Sequence, residues 1–210
     1  MQYLFSSFIG YLLGSIPTAY IFLKKSKGID ITKEGSGNVG AMNSFEITNS
    51  KLVGISVFLI DFVKGIASVV IPVLIYPGEF IFPALALMFA VFSHCFNPWI
   101  DFKGGRGLAT AAGGAAIIFP FLLGLWAVLW VIFYMMRKDI LIANISATIF
   151  SLLVVFGIPE IAIKYTYFQP ESISVLILVS ASVLILIFIR HIEPLKEIIS
   201  NQKNNLKTKK

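Results

Sequence analysis

Seven apolar runs, at 3–23, 52–74, 81–96, 108–119, 121–136, 140–157 and 173–189, take up most of this 210-residue chain. The last of them carries no charged residue. A helix of about 20 such residues crosses the hydrocarbon core of a bilayer. A soluble domain is roughly 45–50% apolar and about 25% charged; this chain is 57% hydrophobic and 13% charged. Lipid offers no partner for an unpaired backbone group, so only helices or closed barrels can span it. Runs of this length predict an all-α integral membrane protein: a seven-transmembrane bundle with some short or broken helices and cytoplasmic glycine-rich loops. One domain is expected over 1–200, followed by a basic, disordered tail over 201–210 that rests on anionic lipid. The first run lacks a basic leader and a small-residue cleavage pattern, which predicts a retained span and not a signal peptide.

Charge sets the expected orientation, because Lys and Arg mark the cytoplasmic side. Lys103 and Arg106 follow the third run, and Arg137 and Lys138 follow the fifth. Both loops lie inside only if 108–136 crosses twice, turning near Pro120. The short run 108–119 then covers only about 18 Å and must sit low, tilt or be broken. The N-terminus falls outside and the tail inside, with the protein in the inner, or plasma, membrane. Within the first run, Gly10 and Gly14 form a small-xxx-small pair suited to close helix contact, and Pro17 predicts a kink.

Two loops carry most of the candidate chemistry. The first reads Gly35-Ser36-Gly37-Asn38-Val39-Gly40-Ala41-Met42-Asn43. Its glycines allow amide N–H groups to converge on an anion, with Ser36, Asn38 and Asn43 as side-chain donors. The second, Phe102-Lys103-Gly104-Gly105-Arg106-Gly107, opens directly onto an expected helix holding Thr110. Free amides and the helix dipole point the same way at such a junction, which makes it an anion site. The spacing is not that of a Walker A loop. His94 is within reach as a proton acceptor or a hydrogen-bond donor, or is simply a helix cap. Asp61 and Lys64 are spaced to pair within the second span; such an intramembrane pair is either functional or a structural tie. Arg190 and His191 close the last span on the same side, as interface anchors or as further phosphate contacts.

Other chemistries are excluded. The lone Cys95 rules out an internal disulfide and a cysteine zinc site. Neither histidine stands five residues before an aspartate, and the His-Glu-x2-His and Gly-x-Ser-x-Gly patterns are missing. No metal or cofactor is expected. Nucleic acid is not an expected partner, and a monomer suffices.

The ordered set Gly14-Ser15-Ile16-Pro17, Gly35 to Asn43, Asp61-Phe62-x-Lys64-Gly65, His94 with Phe102 to Thr110, and Arg190-His191 resembles the PlsY family over nearly the whole chain. These are bacterial acyl-phosphate:glycerol-3-phosphate acyltransferases. The resemblance implies a seven-span enzyme of phospholipid synthesis with its site at the cytoplasmic face. It would move a fatty acyl group from acyl phosphate to the 1-hydroxyl of glycerol 3-phosphate, giving lysophosphatidic acid and phosphate. The partners implied are those two substrates and membrane lipid. Residues expected to act in catalysis are His94, Ser36 and Asn43. Phosphate contacts are expected from Gly35, Gly37, Asn38, Gly40, Lys103, Gly104, Gly105, Arg106, Gly107, Thr110, Arg190 and His191. The sequence departs from the family pattern at Glu46, where an arginine is usual, and at Pro194, where an asparagine is usual; it departs further at Asn201, Lys203, Pro98 and Arg106. A transporter or scramblase of a phosphorylated lipid or metabolite, and a divergent relative with another acceptor or no catalysis, remain as alternative readings.

Overall fold

A computed structural model describes residues 1–207. Its helices are α1 (Gln2–Gly14), α2 (Thr18–Lys27), α3 (Ala41–Thr48), α4 (Lys51–Ile75), α5 (Ile81–Cys95), α6 (Leu108–Ile118), α7 (Pro120–Arg137), α8 (Ile140–Gly157), α9 (Pro159–Lys164) and α10 (Ile173–Lys207). Six spans are long and apolar enough to cross a membrane, with α1 and α2 counted as one, and α6 is a shorter apolar helix. These make the seven expected segments of an integral membrane protein. Helix α10 continues through Pro194 to Lys207 and so enters the segment expected as a tail; residues 208–210 lie outside the described residues.

The expected kink at Pro17 is a full break. Proline has no N–H to donate and clashes with the preceding turn. α1 therefore ends at Gly14, and α2 restarts at Thr18. The break leaves the Ser15 and Ile16 carbonyls free of the helical ladder. Each is taken up by a side chain from elsewhere: Asn97 Nδ2 donates to Ser15 O at 2.7 Å, and Lys64 Nζ donates to Ile16 O at 3.0 Å. A second break at Phe119–Pro120 separates α6 from α7, where Pro120 occupies the first helical turn.

Close backbone packing sets the frame of the bundle. A Cβ at Gly10 or Gly14 would run into the carbonyls of Ala86 and Ala90 on α5, so the small-residue pair expected in the first span is the α1–α5 contact. Gly65 on α4 and Gly113 on α6 likewise let Thr110 O and Phe62 O approach. The main core runs along α4, α5, α6 and α10 through Val69, Leu87, Val91, Ile118, Val179 and Val183. A second, smaller core of Leu23, Ile31, Val39, Val53 and Val57 lies beneath the loop between α2 and α3. Burying Ile31 and Val39 at about 1.5–3 kcal/mol each pins that loop against α4, which an unanchored glycine linker would not achieve.

Candidate functional site

The 28–40 loop is ordered from within. Asp30 accepts from Thr32 Oγ1 at 2.7 Å, and that bond holds its carboxyl below the usual range. Asn43, buried on the first turn of α3, gathers the glycine segment: its Oδ1 accepts from Ser36 N at 3.0 Å, and its Nδ2 donates to Glu34 O at 3.1 Å and Asn38 O at 3.0 Å. Gly35 and Gly37 have φ of +57° and +68°, a region open to glycine at little cost. The N–H of Gly37 bonds Glu34 O, that of Val39 bonds Gly104 O, and that of Gly40 bonds Asn38 O. Of the amides expected to form a nest, those of Gly37 and Gly40 are therefore spent inside the loop, while the Gly35 N–H makes no hydrogen bond among the described residues; the Ser36 hydroxyl is exposed and the Asn38 side chain half-buried. Asn43 shapes the loop, with all its polar atoms in backbone bonds and none left for a reacting group.

The 96–107 loop is folded back on the end of α5. Gly105 N donates to His94 O at 3.1 Å, while Phe102 N and Lys103 N turn inward to Asn97 O and Ile100 O. A Cβ at Gly104 would collide with the His94 and Cys95 carbonyls, and one at Gly105 with His94 Nε2. These two glycines serve close approach, whereas Gly107, at φ +83°, makes the turn into α6. Among the described residues the N–H groups of Arg106 and Gly107 make no hydrogen bond, and the first amides of α6 have no helical partner. Free donors therefore concentrate at 106–110, where the positive end of the helix dipole lies. Lys103 is exposed and Arg106 is half-buried beside them. Burial lowers the pKa of Arg106, against the pull of Glu46.

Arg190 ties this loop to α10. Its Nε donates to Gly105 O and its Nη2 to Gly104 O, both at 3.1 Å. Gly104 O also receives Val39 N at 3.3 Å, and so one carbonyl joins both loops to α10. Arg190, expected as a phosphate contact, is a clamp on the loop backbone. His191, expected in the same role, is buried and faces α8: its Nδ1 bonds Ile187 O at 2.7 Å and its Nε2 meets Asn144 Nδ2 at 3.3 Å, leaving neither ring nitrogen for a phosphate. Asn144 in turn accepts from Trp130 Nε1 at 2.7 Å. Thr110 is fully buried, and its hydroxyl has no partner among the described residues; it does not line the outer face of the α6 turn as expected. His94 lies where the sequence placed it, against Gly105, with Nδ1 2.9 Å from Lys64 Nζ. Sequence reasoning missed the Asn97–Ser15 tie and the Trp99 Nε1 to Ser15 Oγ bond at 3.0 Å. Only the helix break at Pro17 hints at either, by freeing carbonyls.

Beside the cationic turn an apolar groove opens between α5, α6, α7 and α10. It begins at Leu108 and Ile187, passes Ala112 and Ala115, ends near Leu123 and Trp126, and holds a cavity of about 80 Å³. No cluster of metal-ligating side chains occurs among the described residues.

Fold and site together define a polytopic membrane protein with a cationic, amide-rich turn set at the mouth of an apolar groove. By sequence, the chain belongs to the glycerol-3-phosphate acyltransferase family, whose profile matches residues 4–201. A glycerol-3-phosphate acyltransferase of Ehrlichia chaffeensis is 31% identical, covering 94% of this chain and 93% of the relative. One from Bacillus subtilis is also 31% identical, covering 95% of each. The crystal structure of PlsY (YgiH), an integral membrane glycerol 3-phosphate acyltransferase, in its glycerol 3-phosphate form superposes with a TM-score of 0.79 at 28% identity, covering 96% of this chain and 94% of that one. Its lysophosphatidic acid form gives 0.76 at 27% identity, over 96% and 93%.

Proposed function

We propose that the chain transfers a fatty acyl group from acyl phosphate to the 1-hydroxyl of glycerol 3-phosphate, yielding lysophosphatidic acid and inorganic phosphate. The observation that carries this reading is the Gly104 carbonyl shared by Val39 and Arg190. That bond holds the two loops against each other and sets the free amides of 106–110 beside the apolar groove. An acyl phosphate needs both halves of such a site: the phosphate meets the amides with Lys103 and Arg106, and the chain lies in the groove. The exposed Ser36 and half-buried Asn38 lie on the loop that Val39 joins to Gly104, and their polar side chains suit the second phosphate.

The chemistry asks little of the protein. Acyl phosphate is an activated mixed anhydride. The glycerol hydroxyl oxygen attacks its carbonyl carbon, the bond from that carbon to the phosphate oxygen breaks, and the departing phosphate takes up the hydroxyl proton. Positioning two anions and offsetting their charge are the principal contributions left to the enzyme. The positive-inside pattern supports placing this site at the cytoplasmic face of the inner membrane, with the N-terminus outside. The test supplies purified protein with labelled glycerol 3-phosphate and palmitoyl phosphate. Lysophosphatidate should form; none above background, beside an active relative, would overturn the reading. Because the charge of Glu46 acts on Arg106, a panel of phosphorylated acceptors belongs in the same assay, and preference for another acceptor would correct the substrate while keeping the acyl transfer.

A further inference from the structure

Lys64 sits well inside α4 and is only 6% exposed. Burying a charge there is costly unless it is paired and each of its protons is matched. Its Nζ lies against three groups: Asp61 Oδ1 at 2.8 Å as an ion pair, and Ile16 O at 3.0 Å and His94 Nδ1 at 2.9 Å as hydrogen-bond partners. They come from α4 itself, from the break between α1 and α2, and from the end of α5. An ammonium carries three protons and no lone pair, so toward each of these groups Lys64 can only donate. The Asp61 contact balances the charge, and the Ile16 carbonyl is available because Pro17 interrupts the helix.

We propose that Lys64, held by Asp61, is a positioning residue that locks His94 as a neutral hydrogen-bond donor, with Nε2–H offered to a phosphate oxygen beside Gly105. The assignment follows from donors and acceptors. Lys64 can only donate, so His94 Nδ1 must accept, and the single proton of the neutral ring lies on Nε2. That nitrogen faces Gly105, where an added Cβ would strike it. It makes no hydrogen bond among the described residues and is not a fully enclosed atom, and the side chain keeps 7% of its surface exposed. A group in this state cannot serve as a base: Nε2 already holds a proton, and Nδ1 is closed by Lys64. The phosphate target rests on the acyltransferase reading; the tautomer does not.

The chain has two histidines, and the structure gives them opposite tautomers. His191 donates from Nδ1 to Ile187 O and accepts at Nε2 from Asn144. Nitrogen NMR of full-length protein labelled at histidine, in detergent at pH 7, should therefore show one ring protonated only on Nε2 and one only on Nδ1. His94→Gln or His191→Gln assigns the two by subtraction. Glycerol 3-phosphate should shift the His94 Nε2 signal and leave His191 in place. Lys64→Met should mix the His94 tautomers and lower kcat/KM roughly ten- to a hundredfold, the cost of a hydrogen bond to a charged group. Asp61→Asn combined with Lys64→Met avoids a stranded carboxylate and should show the same mixing if the single variant does not fold. A His94 protonated on Nδ1, or on both nitrogens, in the wild-type protein would overturn the lock. So would a Lys64 variant whose His94 spectrum matches wild type. Silence to glycerol 3-phosphate in protein that turns over would remove the phosphate contact. The tautomer is read without substrate or turnover, so its failure is distinct from failure of the transfer assay.

Discussion

Replacing Arg190 with lysine preserves its charge and removes its fork, which separates two accounts of this residue. The guanidinium makes two bonds, to the Gly104 and Gly105 carbonyls. Each hydrogen bond from a charged donor contributes about 1.5–3 kcal/mol, reduced here because Arg190 is half-buried and water can replace part of it. A lysine reaches one carbonyl at best. Gly104 O keeps its bond from Val39, so the bond that is lost falls on Gly105 O. That carbonyl shares a trans peptide with the N–H of Arg106, and the two point in opposite directions. Releasing the carbonyl lets the first free amide of the anion turn swing away. Losing one amide contact to a charged phosphate should weaken binding roughly ten- to a hundredfold. Steady-state kinetics at fixed glycerol 3-phosphate would show this as a raised KM for palmitoyl phosphate in both Arg190→Lys and Arg190→Ala, with lysine rescuing little. Near wild-type kinetics in Arg190→Lys would refute the clamp and make Arg190 a point charge on substrate.

Further predictions concern the loop, the groove and the frame. Asn43→Asp keeps the shape but turns a donor facing Glu34 O and Asn38 O into an acceptor. Two unmade bonds at about 1–3 kcal/mol each should lower the thermal midpoint and raise KM for glycerol 3-phosphate; no change in either would contradict the organising role. Ala115→Trp fills the middle of the groove and should shift the best acyl phosphate donor to a shorter chain; an unaltered chain-length profile would exclude the groove as the acyl site. Gly10→Leu should destabilise the bundle by about 1–3 kcal/mol through overpacking, because its Cβ meets the Ala86 backbone, whereas Gly124→Ala, with open space around it, should be neutral in the same detergent melt.

The seven segments, an interruption at Pro17, close helix contact at Gly10 and Gly14 and the Asp61–Lys64 pair were legible in the sequence, because each follows from local composition or fixed spacing; that Pro17 breaks the helix outright, and that the contact is with α5, were not. The Lys103–Gly107 turn opening onto α6 was legible for the same reason. The roles of Asn43, Arg190, His191 and Thr110 were not. Each depends on what surrounds a side chain once helices pack: Asn43 turns into its own loop, Arg190 across to Gly104 and Gly105, His191 toward Asn144, and Thr110 is buried. The amides of Gly37 and Gly40, expected to cradle an anion, turned out to be bonded within the loop for a related reason. Glycine content shows that a backbone can bend, but not where its N–H groups end up. Helix α3, eight residues between Gly40 and Asn49, was too short to leave a periodic signal.

That the two loops act as one site for two phosphorylated reactants can be tested directly by amide hydrogen exchange, read by mass spectrometry. Protein in detergent would be compared alone, with glycerol 3-phosphate, and with a non-transferable acyl phosphonate. Slowed exchange in both 35–43 and 102–110, deepest with the two ligands together, is the predicted result. Protection confined to one loop, or appearing elsewhere with both loops unchanged, would contradict the account.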